Sequence, residues 1–284
     1  MAEIPIEHQA AFVEMAAAFN SAEIQTCLAG VRTIAHFDIS PERAKPLLRF
    51  HRFITAPQPS FITHWRSDPK REHWYHDFVN GVLVHVRSGL SAVEYHHENL
   101  RQIERQLAAF LETVDYKTAA GDSFMSLGGT AKLDFEYQAY VLSYRRCLDY
   151  LARAMTLYFM RQGHSFRRMD RGIRDAAPSS VAEALISVHR KYVQPFKFVL
   201  GVEGYFSVRD RIAHHEAVGA GIFNLSRLGV CLAGGGEELE GWSMADKGLG
   251  DVLAVRTDLL HRCVEEMLDA FIAAANEVEL ARMK

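Results

Sequence analysis

At 284 residues, 49% hydrophobic and 24% charged, the chain is long enough to close one large core or two small ones without disulfide or metal staples. Its net charge of −3 excludes a polycation that coats nucleic acid along its whole surface, while leaving room for a local basic cleft. The four cysteines, Cys27, Cys147, Cys231 and Cys263, are too widely spaced for a ligand set and read as reduced, mostly buried thiols.

The first residues carry Glu3, Glu7 and Glu14 and no basic leader, and no apolar run reaches the length of a membrane span. A cytoplasmic protein with no membrane contact is expected. Residues 6–36 place Phe12, Met15, Phe19 and then Ile24, Leu28 and Val31 at helical spacing, with Ser21 as an internal N-cap. Five prolines punctuate 37–76 and rule out a long regular helix there. Ser40-Pro41-Glu42 nevertheless reads as a helix start, running to about Ile54. The segment from Ile62 to His76 is basic, aromatic and His-rich. It has the composition of a nucleic-acid contact, but packing of Trp65 and Trp74 onto neighbouring helices explains it more simply.

A sustained stripe from Leu83 through Leu90, Val93, Leu100 and Leu107 to Val114 predicts one long helix over 77–114. Its adjacent His96 and His97 have the wrong spacing for a shared metal. Residues 117–132 carry three glycines and no periodicity and read as a loop, the expected boundary between two helical parts. A second strong helix spans 134–161, ended by Gly163. Phe166 to Arg174 is a basic connector in which Arg167, Arg171 and Arg174 would share a helix face, either as a solvated surface or as a phosphate-binding rim. Ser180 and Glu183 have capping-box spacing at the head of the next helix, which Pro195 stops or kinks. Residues 218–230 read as a Gly-rich helix, 234–250 as a Gly-rich loop plugged by Trp242 and Met244, and 251–278 as a final helix. No stretch shows convincing strand alternation. The expected fold is all-α, a bundle of about six to eight helices, with residues 1–116 as an N-terminal helical region and 130–278 as a second helical domain.

The densest chemistry lies in Tyr205-Phe-Ser-Val-Arg-Asp-Arg-Ile-Ala-His-His-Glu216. On a helix, Asp210 and His214 are four residues apart, so the carboxylate could fix the imidazole tautomer and raise its basicity. Arg209 offers a permanent charge with bidentate geometry for phosphate. Arg209 and His214 lie about 140° apart around an ideal helix, so meeting at one phosphate needs a bend, a long reach or a second subunit. Arg211 and His215, four apart, are a rival pair.

Arg209-Asp210-x-x-Ala213-His214 resembles the Arg-polar-x3-His signature of the HEPN superfamily, and the helix from Phe135 to Leu151 looks like the first long helix of such domains. The resemblance covers roughly residues 130–275. The polar residue in that family is often Asn, and here it is Asp210. The resemblance implies a HEPN-like C-terminal half and a homodimer whose two motifs face one cleft. It also implies metal-independent RNA cleavage, often by a toxin or defence effector, with no cofactor. Catalysis would rest on His214 for proton transfer, Arg209 for the developing phosphorane charge and Asp210 for orientation, and Arg211, His215, Arg167 and Arg171 would contact RNA or nucleotide. Other members serve as non-catalytic binding or dimerisation modules, and that alternative stays open.

Other chemistries find less support. The chain has no His-Glu-x-x-His, Cys-x-x-Cys, Walker loop or Gly-x-Ser-x-Gly motif. A metal- or haem-dependent enzyme would have to draw on His51, His64, His85, His96 and His97, none of which pairs with another at helical i,i+4 spacing.

Overall fold

The computed structural model describes residues 21–56, 68–115, 124–163, 165–201, 204–226, 229–233 and 248–282. Four sequence readings lie outside these residues: the helix before Ser21, Ile62 to Ser67 with Trp65 and His64, residues 116–123, and the plug at Trp242 and Met244.

The chain divides into two compact units, one ending at Asp38 and one beginning at Ile39. In the first, helix α1 (Ala22–Ala35) starts where its cap predicts, with Ser21 Oγ accepting from the Ile24 amide at 3.3 Å.

The second unit is a helical bundle. Its helices are α2 (Pro41–Ile54), α3 (Glu72–Asn80), α4 (Arg87–Glu112), α5 (Ala131–Leu157), α6 (Met169–Ile173), α7 (Ser179–Val193), α8 (Lys197–Leu200), α9 (Val208–His214) and α10 (Leu249–Arg282). Ser40 caps α2 and Pro41 occupies its first turn, as the sequence indicates. Helices α4 and α5, on either side of the division expected at residues 117–132, pack along one another. That contact is close. A methyl on Gly89 would stand 2.8 Å from Cys147 Cβ, and one on Gly81 would stand 3.0 Å from Ala154 Cβ. The single long helix expected over 77–114 is broken in phase by a π-helical turn, Gly81–Val86, joining α3 to α4.

Two aromatic clusters fill the core. Phe50 of α2, Phe78 of α3 and Tyr158 all meet Phe271 of α10, with ring centroids 4.9–6.0 Å apart. Each fully buried ring of this kind contributes roughly 1.5–3 kcal/mol of transfer free energy. Tyr144 of α5 meets Phe196 and Phe198 at 5.5 and 5.0 Å, edge to face. The hydroxyls of Tyr140 and Tyr144 donate to the carbonyls of Leu253 and Arg256, so α5 and α10 are joined through apolar rings with satisfied tips.

Three other expectations are corrected. The described residues between 218 and 230 do not form a helix. They include strand β2 (Ile222–Ser226), which lies between β1 (Phe124–Leu127) and β3 (Gly229–Ala233) in a small antiparallel sheet. Strand β1 sits inside the expected loop, and such four- and five-residue strands are too short to display an alternation. Helix α7 begins at Ser179, one residue before the expected cap, so Ser180 lies inside its first turn and no side chain caps it. Helix α5 ends at Leu157 rather than near Arg161, with Gly163 folded back so that its amide donates to Thr156 Oγ1 at 3.0 Å. Among the described residues, no helix is long and apolar enough to cross a membrane.

Candidate functional site

The site is built on α5. Arg145 and Asp149, one turn apart, form an ion pair at 2.8 Å on a face turned towards the α8–α9 corner. Arg145 is only 14% exposed, and its Nη1 and Nη2 donate to the Val199 carbonyl and Ser165 Oγ, both at 3.0 Å. The other Asp149 oxygen accepts from the Phe166 amide at 2.9 Å. One ion pair therefore fixes both the stretch of chain that carries Arg167 and the turn that delivers α9. His189 secures the same loop from α7, with Nε2 donating to the Phe166 carbonyl at 2.6 Å.

The turn itself needs glycine. Gly201 has φ +62° and ψ 146°, a region that side chains other than glycine scarcely enter. A methyl there would stand 3.4 Å from Asp210 Oδ2 and 3.6 Å from Arg167 Nη1. Arg167 and Asp210 thus approach one point beside a bare backbone.

Helix α9 starts at Ser207, whose buried hydroxyl accepts from the Asp210 amide at 3.1 Å and donates to Asp210 Oδ2 at 2.7 Å. Asp210 Oδ1 accepts from Arg209 Nη1 at 2.9 Å. Burial acts to raise the Asp210 carboxyl pKa. The hydrogen bonds from Ser207 and Arg209, backed by the charges of Arg209 and Arg145, outweigh it and hold the group below its usual range.

These contacts correct one expectation. Asp210 turns back to Ser207 and Arg209 and does not orient His214. The reason is local: as the third residue of a seven-residue helix, its carboxylate is captured by the cap. His214 closes α9 and is exposed, its ring 6.2 Å from that of His215, which packs against Phe206 at 5.0 Å. Of the rival pair Arg211 and His215, Arg211 donates to Glu216 at 2.6 Å. Arg171 is exposed on α6, and among the described residues no hydrogen bond or ion pair links it to the cluster; Arg174 pairs with Asp170 at 3.2 Å. The structure thus brings together Arg209, Asp210 and Arg167 from the expected set, leaves His214 and His215 exposed further along α9, and adds Arg145, Asp149 and Ser207. All three additions have a sequence signal: Ser207-x-x-Asp210 is capping-box spacing, and Arg145-x3-Asp149 is a helical ion pair.

Two of the histidines considered for a metal have structural partners. His96 bonds to Glu136 at 2.7 Å, and His97 bonds to the Gly250 carbonyl at 2.6 Å. Among the described residues, no group of three or more His, Cys, Asp or Glu is placed to hold a metal ion. No protein-family model, curated protein or solved structure matches the chain.

Proposed function

We propose that the chain is a phosphodiester-binding protein of HEPN type that cleaves RNA without a metal, as a homodimer and in a toxin or defence role. The observation that carries this reading is the convergence of Arg167 and Arg209 beside Asp210 and the bare Gly201, with His214 exposed at the far end of the same helix. Three guanidinium groups, those of Arg145, Arg167 and Arg209, surround two carboxylates, which leaves a local positive excess suited to a phosphate. In this reading Arg209 binds the scissile phosphate and stabilises charge on its oxygens, and His214 moves the proton at the ribose hydroxyl or the leaving oxygen. The angular separation of Arg209 and His214 on α9 is met by a second copy whose motif completes the cleft.

The test is incubation of the purified protein with mixed RNA in EDTA. Cleavage that disappears in both Arg209→Ala and His214→Ala supports the proposal, and cleavage that is absent or survives both substitutions rejects it. A second reading is favoured by one contact. Because Asp210 holds Arg209 and not His214, the histidine lacks an orienting carboxylate, as befits a non-catalytic RNA-binding or dimerisation module. That reading predicts RNA retention that falls in Arg167→Ala and Arg209→Ala, with no turnover.

A further inference from the structure

A second polar cleft lies further along α5, around the π-helical turn. It has a volume of about 90 Å3 and is lined by Asp77, Asn80, His85, Tyr150, Arg153 and Leu157, with Gly81 at its floor. In an uninterrupted α-helix, Asp77 and His85 would point about 80° apart around the axis. The wider turn at Gly81–Val86 takes up the extra residue, and both side chains line the cleft.

The charges in this cleft are unspent. Arg43, Arg49, Arg105, Arg145, Arg174 and Arg209 each sit in an ion pair. Among the described residues, neither the Arg153 guanidinium nor the Asp77 carboxylate has a hydrogen-bond or ion-pair partner, and they do not pair with one another, although both line the same small space. Tyr150 is poised differently. Its hydroxyl accepts from Arg146 Nε at 2.5 Å, which leaves the phenolic proton to point elsewhere. The His85 and Tyr150 rings, 5.3 Å apart, make one wall.

A cleft with one unpaired cation and one unpaired anion complements a ligand that carries both charges and is neutral overall. We propose that it binds a free α-amino acid. Arg153 takes the carboxylate in a bidentate grip, Asp77 takes the ammonium group, and the Asn80 amide and Tyr150 hydroxyl bond the remaining carboxylate lone pairs. The short apolar floor of Gly81 and Leu157 selects a small side chain. A simple anion would leave Asp77 facing it with like charge, and a simple amine would face Arg153 in the same way.

The test is a calorimetric or NMR titration of the whole protein with each common amino acid in turn, and with acetate and methylamine as half-ligands. At least one small amino acid binds at millimolar Kd or tighter, and each half-ligand binds at least about tenfold more weakly. Arg153→Gln and Asp77→Asn each weaken binding by about tenfold or more. Both residues are exposed, so the variants retain their fold, checked by circular dichroism. Tyr150→Phe provides a third variant, with a smaller loss expected, and Arg209→Gln, at the other cluster, binds as the native protein does. The proposal is overturned if no amino acid binds at about 10 mM, if acetate binds as well as the best amino acid, if Arg153→Gln leaves affinity unchanged, or if Arg209→Gln abolishes it. The last result moves the binding to the arginine cluster around Asp210.

Discussion

Arg145 and Asp149 form one 2.8 Å ion pair, yet between them they reach Val199, Ser165 and Phe166, three points on two separate stretches of chain. The pair is mostly shielded from water, so its hydrogen bonds count for more than those of a surface bridge. Asp149→Ala removes the acceptor for both the guanidinium and the Phe166 amide and is expected to cost about 1–3 kcal/mol. Urea denaturation measures it. A double-mutant cycle with Arg145→Met should show coupling above about 0.5 kcal/mol, and an absence of coupling would mean that the two residues act independently.

Gly201→Ala tests the corner that brings Arg167 to Asp210. Forcing a side chain into that backbone region costs about 1–3 kcal/mol before any contact is considered. The added methyl also meets the Tyr205 carbonyl at 3.3 Å. Gly204→Ala is the control, at a glycine with φ +77° and nothing within 4 Å of an added methyl. Gly201→Ala should be the less stable of the two variants and the only one with altered phosphate or RNA binding; equal stability would remove the steric argument.

Acid should weaken the fold before the carboxylates titrate. His189 and His97 are both held below the ordinary histidine pKa, chiefly by burial, against the opposing pull of their carbonyl partners Phe166 and Gly250. Below about pH 6.5 the unfolded chain takes up protons that these folded rings resist, so stability falls as pH drops through that value and levels off once the folded pKa values are passed. Denaturation midpoints at several pH values between neutral and mildly acidic give the slope. His189→Gln keeps a donor for the Phe166 carbonyl without titrating and should flatten it.

Glu104 of α4 caps α10 from outside. Its two carboxylate oxygens accept from the Leu249 and Gly250 amides at 2.6 and 2.9 Å, the first turn of a 34-residue helix. Glu104→Ala should cost about 0.5–2 kcal/mol, and Glu104→Gln less, since it keeps one acceptor. Hydrogen exchange at Leu249 and Gly250 should quicken in the alanine variant, and unchanged protection there would rule the cap out.

Helices with long stripes were legible in the sequence because periodicity reports directly on a buried face: α2, α5, α7 and α10 stand within a few residues of their expected bounds, and α4 ends near the expected residue 114. The π-helical turn was not, since Leu83, Val86 and Leu90 keep three-and-four spacing through it while the backbone bonds change. Strand β2 was hidden because five residues beside Gly219 and Gly221 are too few for a pattern and its partner β1 lies far away in sequence. At the candidate site, the focal segment carried Arg209 and Asp210 plainly, but the partner of Asp210 depended on Ser207 being a cap, and reading the Asp210–His214 spacing alone pointed the carboxylate the wrong way. Arg145 and Asp149 have the spacing of an ordinary helical ion pair, and the tertiary contacts with Val199 and Ser165 are what mark Arg145 as part of the site.

The aromatic cluster has a consequence for the order in which the molecule is made. Phe50, Phe78 and Tyr158 precede by more than a hundred residues the ring that all three pack against, Phe271 of α10. Arg49 likewise waits for Glu265 and Asp269. A nascent chain therefore carries an uncovered aromatic surface until α10 has left the ribosome, and the unit beginning at Ile39 completes its core only then. Chains that stop before α10 are left with that surface open, which makes them natural clients for chaperones or proteases.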